Sequence, residues 1–258
     1  MTTAQNGVKG HGPSGQVPLK NVANFMALTM RLIEREPHLP GFGVCHGPSG
    51  YGKTYASIYA QNRTRAVRVE VGESWTRKTF LKSLLFELGV QARGTISDMA
   101  DQAKALLGDD PRRPLIVDEA DKLVDKGMVE LVREIGDVAG CPVILIGEER
   151  LPAKLVQHER IHNRVLDWMP AQPCDLDDTT ALARALCPRV SVAADLLDDI
   201  RRQSEGRARR IVVNLSRVGE LARNRGLTAV DRAAWGGTAF YTSRAPAPRT
   251  VDAGRWSA

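Results

Sequence analysis

Residues 47–54 read Gly-Pro-Ser-Gly-Tyr-Gly-Lys-Thr, and no other stretch restricts what this chain can fold into so strongly. Gly47, Gly50 and Gly52 permit positive φ and close backbone approach, so successive N–H groups can wrap an anion at the N-terminus of a following helix. Such a loop works only between a strand and a helix. Gly41 to His46 supplies a short, partly apolar, proline-free segment before it, and Tyr55 to Gln61 supplies helix-compatible residues after it. Gly47, Pro48, Ser49, Gly50, Tyr51 and Gly52 then form the cradle, Lys53 is the point charge for β- and γ-phosphates, and the Thr54 hydroxyl is placed to ligate Mg²⁺.

The partner of this loop lies at Leu115-Ile116-Val117-Asp118-Glu119. Pro114 to Val117 reads as a fully buried strand, and a carboxylate at its C-terminal edge holds magnesium through water, the role given to Asp118. Glu119 next to it is placed as the base that orients an attacking water. The two motifs together imply a chain that binds and hydrolyses a nucleoside triphosphate, with ATP and Mg²⁺ as cofactors.

The remaining pattern alternates. Residues 18–36 give an amphipathic helix with Val22, Phe25, Met26, Thr29, Leu32 and Ile33 on one face. Ala66 to Val71 alternates valines with Arg68 and Glu70, a half-buried strand. Helices are expected from Arg77 to Leu88, from Ser97 (as N-cap) to Leu107 and from Lys126 to Val138, with strands at Pro142–Ile146 and His162–Met169. A β/α alternation of this kind implies an α/β core whose parallel sheet is covered on both faces.

Beyond Pro170 the strand signals fade. Asp177 or Thr179 starts a helix that Pro188 stops, Val192 to Gln203 gives another, and Arg207 to Asn224 a third closed by Gly226. The expected organisation is a flexible leader at 1–17, an α/β core at 18–170, an all-helical domain at 171–235 and a disordered tail at 236–258.

Composition excludes some classes. At 258 residues and 43% hydrophobic content the chain has enough material for one α/β core and a small appendage. No apolar run approaches a membrane span and residues 1–16 hold no signal core, so a cytoplasmic protein is expected. Cys45, Cys141, Cys174 and Cys187 form no metal pattern, and Cys45 and Cys141 read as core filler. His158 and His162, four positions apart, read as surface residues. The net charge is +6, and residues 201–225 carry eight arginines against Glu205 and Glu220, an excess equal to that of the whole chain. That run is either a polyanion contact or a solvated helix face.

The order of phosphate loop, Asp-Glu strand end, a further strand ending in Gly147-Glu148-Glu149-Arg150, and a helical segment containing Glu205-Gly206-Arg207-Ala208-Arg209 resembles an AAA+ ATPase. Val17-Pro18-Leu19, Gly94-Thr95-Ile96-Ser97-Asp98, Asp118-Glu119-Ala120-Asp121-Lys122-Leu123, and Ile146-Gly147 followed by Arg150-Leu151 are similar, more narrowly, to transposition ATPases of the MuB and TnsC type. The likeness covers roughly residues 17–232.

This resemblance implies a sheet of order 5-1-4-3-2 with a C-terminal helical lid. It also implies a homo-oligomer, a filament or ring, on double-stranded DNA that delivers its target to a cognate transposase in a bacterial cell. Loops at Ser74–Lys78 and Arg93–Thr95 are then the expected DNA contacts, with Arg77, Lys78 and Arg93 on phosphates and the hydroxyls of Thr76 and Thr95 beside them. Arg209 matches the lid arginine that senses the γ-phosphate, with Arg207 and Arg210 as competing neighbours. A finger acting across a subunit boundary comes from Arg160 or Arg164, with Arg150 a third candidate. Glu148 and Glu149 stand where relatives carry Asn or Thr, which implies slow intrinsic hydrolysis. A helicase-loader or replication-initiator ATPase shares the same core and is the alternative reading.

Overall fold

The computed structural model describes residue 17 and residues 19–243, so the expected leader at 1–17 and the tail beyond residue 243 lie almost wholly outside the described residues. The core elements, in chain order, are α1 (Lys20–Ile33), β1 (Phe42–His46), α2 (Lys53–Thr64), β2 (Val67–Glu70), α3 (Arg77–Glu87), α4 (Ile96–Gly108), β3 (Leu115–Asp118), α5 (Ala120–Asp125), α6 (Val129–Ala139), β4 (Val143–Gly147), α7 (Leu151–Val156), α8 (Glu159–His162) and β5 (Val165–Pro170). A lid follows, with α9 (Leu176–Leu186), β6 (Ser191–Val192), α10 (Ala194–Gln203), α11 (Ala208–Arg225), β7 (Ala229–Val230) and α12 (Arg232–Trp235).

The five core strands form one parallel sheet in the order β2-β3-β4-β1-β5, as expected. Successive side chains of a strand point to opposite faces, and here both faces are apolar. Leu115, Val117, Val143 and Leu145 join a core with Phe80, Leu84, Met99, Val132 and Ile135 from α3, α4 and α6. Ile116, Ile144, Ile146 and Cys45 face a second core with Phe25 and Leu32 of α1, Ala56 of α2 and the lid helices. Helix α1 lies so close to β1 that a Cβ at Gly43 would stand 2.7 Å from Leu32 Cδ1.

Several expected boundaries move, for local reasons. Thr95, not Ser97, caps α4, because Thr95 and Asp98 satisfy each other reciprocally, whereas Ala100, three places after Ser97, offers no acceptor. The helix expected from Lys126 begins only at Val129, as α6, because a turn in which Gly127 has φ 61° separates it from the preceding α5. Asp175 opens α9 through the same kind of box with Asp178, ahead of the expected Asp177 or Thr179. β5 begins at Val165, residues 159–162 being the short α8. The lid is not all-helical, since β6 and β7 pair in parallel.

Residues 236–243 also depart from the expected tail. Asn214, fully buried in α11, accepts the Tyr241 N–H at 2.7 Å and donates to the Tyr241 carbonyl at 3.1 Å. Phe240 stacks on Trp235 with centroids 5.4 Å apart, and Arg217 lies over the Tyr241 ring. The composition suggested disorder, but two aromatic anchors, Phe240 on α12 and Tyr241 on α11, outweigh it.

Candidate functional site

The carboxyl ends of β1, β4 and β3 lie side by side, with His46 in register with Gly147, and the phosphate loop leaves β1 at that edge. A crevice there is where an open parallel sheet places its ligand. Gly47, Gly50 and Gly52 have φ of 147°, 87° and 84°, the left-handed region the loop required. Lys53 Nζ donates to the carbonyls of Gly47 at 2.6 Å and Pro48 at 3.0 Å, so its ammonium lies across the loop. Burial holds that ammonium below its ordinary pKa, while Cys45, Asp118, Glu148 and Glu119 act in the opposite sense.

Asn21 supports the loop from below. Its Nδ2 donates to Tyr51 and Gln172 carbonyls, both at 2.8 Å, and its Oδ1 accepts the Gln172 N–H. This buried asparagine on α1 carried no sequence signal beyond being a polar residue among apolar neighbours.

Asp118 ends β3 almost fully buried; its Oδ1 accepts the Glu119 N–H at 3.0 Å and its Oδ2 accepts from Arg68 Nη2 at 2.7 Å. Glu119 has φ 58°, a left-handed conformation that costs a non-glycine residue on the order of 1–3 kcal/mol; the residue lines the crevice and its carboxylate lies 3.4 Å from Lys122 Nζ. Asp121, one turn on, accepts the Glu148 N–H at 2.6 Å and so ties α5 to the end of β4. There is no room for a side chain at Gly147, where a Cβ would meet that same carboxylate at 2.2 Å.

The lid closes the site from the other side. Arg207 donates to the Ser49 carbonyl at 2.7 Å and the Arg209 N–H donates to the Gly50 carbonyl at 3.2 Å. Glu205 holds Arg207 at 3.4 Å and Arg210 at 3.0 Å, which leaves the Arg209 side chain to line the cavity between loop and lid. That cavity, about 540 Å³, has a polar end at Lys53, Thr54, Asp118, Glu119, Glu148 and Arg209. Its other end is apolar, with Leu19, Ile58, Leu182, Leu186 and Val212, a lining suited to a flat base.

A magnesium ion fits this donor set. Among the described residues no cluster of three or more His, Cys, Asp or Glu forms a dedicated cage, and Mg²⁺ characteristically takes one hydroxyl or carboxylate, waters and the phosphates themselves. Thr54 and Asp118 border one cavity, which is the arrangement such an ion needs.

Other expected residues lie elsewhere. Arg160 and Arg164 are outside the cavity lining; Arg164 pairs with Asp137 at 2.6 Å, whereas Arg160 has no acidic partner among the described residues. Thr76 and Thr95 cap α3 and α4 with their hydroxyls, and Arg77 reaches the Gly127 carbonyl at 3.2 Å. Lys78 and Arg93 make no side-chain bond among the described residues, and the two loops stand at opposite ends of α3. The arginine run is less unbalanced than it read, because Asp198 and Asp199 just upstream pair with Arg201 and Arg202. All four cysteines are buried and free.

The sequence profile of an AAA domain matches residues 35–155, from the end of α1 through α7. Among curated proteins none matches the chain. The fold is similar to the Orc1 protein of Aeropyrum pernix, solved in complex with DNA, at a TM-score of 0.64 and 16% identity over 85% of this chain and 64% of that one. It is similar also to Cdc6p of Pyrobaculum aerophilum, at a TM-score of 0.60 and 17% identity over 85% of this chain and 66% of that one. The chain thus spans just under two thirds of the length of either protein. With the phosphate loop, Asp118 and Glu119 at one sheet edge and a helical lid bonded to the loop, the chain carries an AAA-type P-loop ATPase domain and is an ATPase.

Proposed function

We propose that this protein is an ATP-dependent, sequence-nonspecific DNA-binding ATPase that works as an oligomer, its lid reporting nucleotide occupancy to the rest of the assembly. The observation that carries this reading is the cavity shared by loop and lid, which both Lys53 and Arg209 line. Bound Mg²⁺ would neutralise charge developing on the phosphates. Lys53 and the loop N–H groups hold the phosphates, Thr54 and Asp118 hold the metal side, Glu119 orients water, and Arg209 draws the lid toward the γ-phosphate. Of the finger candidates Arg160, Arg164 and Arg150, Arg164 is held by Asp137, which supports Arg160 over Arg164. In this reading Arg160 completes the site of a neighbouring copy.

Two clients fit such a machine. The likeness to Orc1, solved with DNA, and to Cdc6p supports a replication-initiator or helicase-loader role more than any other. A second reading, delivery of target DNA to a transposase, is supported by the stretches Gly94–Asp98 and Asp118–Leu123. In both, Lys78 and Arg93 meet DNA phosphates, with Arg77, Thr76 and Thr95 beside them.

Gel shifts of duplex DNA with ATP, ADP and a non-hydrolysable analogue test the shared part: binding with ATP and the analogue, and little with ADP, is expected. The double variant Lys78→Ala/Arg93→Ala should lower affinity and flatten its salt dependence. Nucleotide-independent binding, or an unchanged salt slope, contradicts the assignment. Stimulation of ATP hydrolysis by a ring helicase or by a transposase then separates the two clients.

A further inference from the structure

The alternation of β2 read Arg68 as one of the polar residues of a half-buried strand, yet its side chain is only 13% exposed. It points across the end of β3 to α2. Its Nε donates to Ser57 Oγ at 2.9 Å, and its Nη2 donates both to Asp118 Oδ2 at 2.7 Å and to Glu70 Oε2 at 3.0 Å. Ser57 Oγ in turn donates to the carbonyl of Thr54 at 2.8 Å. One arginine therefore touches both arms of the metal side, Asp118 directly and the Thr54 turn through Ser57.

We propose that Arg68 shares the Asp118 carboxylate with Mg²⁺ and thereby sets the metal requirement of the ATPase site. The inference rests on the assignment of Asp118 and Thr54 to the metal. A guanidinium is charged at every accessible pH, and two cations drawn to one carboxylate repel each other, the more so in a water-poor crevice. Metal binding must then weaken the bond from Arg68 to Asp118, and by reciprocity Arg68 weakens metal binding by the same factor. Glu70 gives the displaced guanidinium a place to go: it accepts from the same Nη2 while its own side chain is 59% exposed. Arg68 is accordingly a positioning residue, in contact with neither substrate nor reacting atoms. Its consequence is that the metal is held well only when phosphates add their charge, so magnesium and nucleotide load together.

The test is an equilibrium titration of metal at fixed fluorescent ATP analogue, repeated with Mn²⁺ followed by its paramagnetic resonance signal, on the full chain. Arg68→Gln should lower the half-saturating metal concentration about three- to tenfold. Glu70→Gln, an exposed change that leaves Arg68 with Asp118 as its one carboxylate, should raise it about two- to threefold. Arg68→Lys, which keeps the charge, should stay near wild type. An unchanged or raised requirement in Arg68→Gln overturns the proposal; if that variant does not fold, an unchanged titration of Glu70→Gln overturns it instead. Asp118→Asn separates the two levels of the argument. It should raise the metal requirement, and if it does not, the assignment of Asp118 fails; if it does while Arg68→Gln fails to lower it, only the sharing is wrong.

Discussion

The guanidinium of Arg207 donates to the carbonyl of Ser49 at 2.7 Å, which fastens the first turn of α11 to the phosphate loop. Two residues on, the Arg209 N–H reaches Gly50. Lid and loop are therefore joined by side chain and backbone at the same place where Arg209 turns into the cavity. Neighbouring arginines on one helix turn are placed differently: Arg207 braces the loop and Arg209 lines the cavity.

Arg209→Ala should then lower the hydrolysis rate by about 10²-fold while nucleotide affinity falls by less than about tenfold, the pattern of a group aimed at transition-state charge. Arg207→Ala should do the reverse, weakening nucleotide binding more than turnover. Fluorescent nucleotide titration and phosphate release measure the two quantities. Equal effects of both variants on both quantities would remove the division of labour.

Asp121 joins α5 to the end of β4 through the Glu148 N–H at 2.6 Å. Asp121→Ala removes a charged, buried acceptor from a part-buried bond and should cost about 1–3 kcal/mol in urea unfolding. Hydrolysis should fall as well, since Glu148 lines the cavity. Gly147→Ala should act in the same direction by pushing on the Asp121 carboxylate. A stability within experimental error of wild type for Asp121→Ala would show the bond to be idle.

Asn214 binds both the N–H and the carbonyl of Tyr241 from within α11. Asn214→Leu, close in volume, should cost about 1–3 kcal/mol and expose residues 236–243 to limited proteolysis. Cleavage in that segment at the wild-type rate would mean that the aromatic contacts alone hold it.

Burial pushes the thiols of Cys45 and Cys174 up to about 12 and that of Cys141 to about 11, and raises Cys187 as well. The folded protein should react slowly with a thiol reagent at pH 8, all four groups becoming reactive in denaturant. The linkage has a definite sign. Each folded pKa lies above the ordinary 9.0, so the unfolded chain loses its protons first and stability falls as pH rises from about 9 toward 12. Fast labelling of the native protein at neutral pH would contradict this burial.

The phosphate loop and the Asp118-Glu119 strand end were legible in the sequence because phosphate chemistry demands fixed residue types at short spacing, and the sheet order followed from the resemblance those motifs carried. Boundaries were harder where two capping residues stood close together, as with Thr95 and Ser97, and only the reciprocal partner decided between them. Asn21, Arg68 and Asn214 were not legible. Arg68 meets Asp118 fifty positions away, and Asn21 meets Gln172 at a separation of 151, so their roles exist only once the sheet and lid are assembled. Asp198 and Asp199 differ, because they pair with Arg201 and Arg202 within one turn of α10, a spacing the sequence does carry, and so quieten the basic run.

The central claim, that ATP held between loop and lid switches this chain into an oligomer on duplex DNA, is tested most directly with Glu119→Gln. Sedimentation velocity of that variant with MgATP and a duplex long enough for several protomers should give a large, long-lived DNA-bound species, absent with ADP and absent for Lys53→Ala under any nucleotide. A protein that stays monomeric and leaves the DNA unbound at saturating ATP would contradict the account.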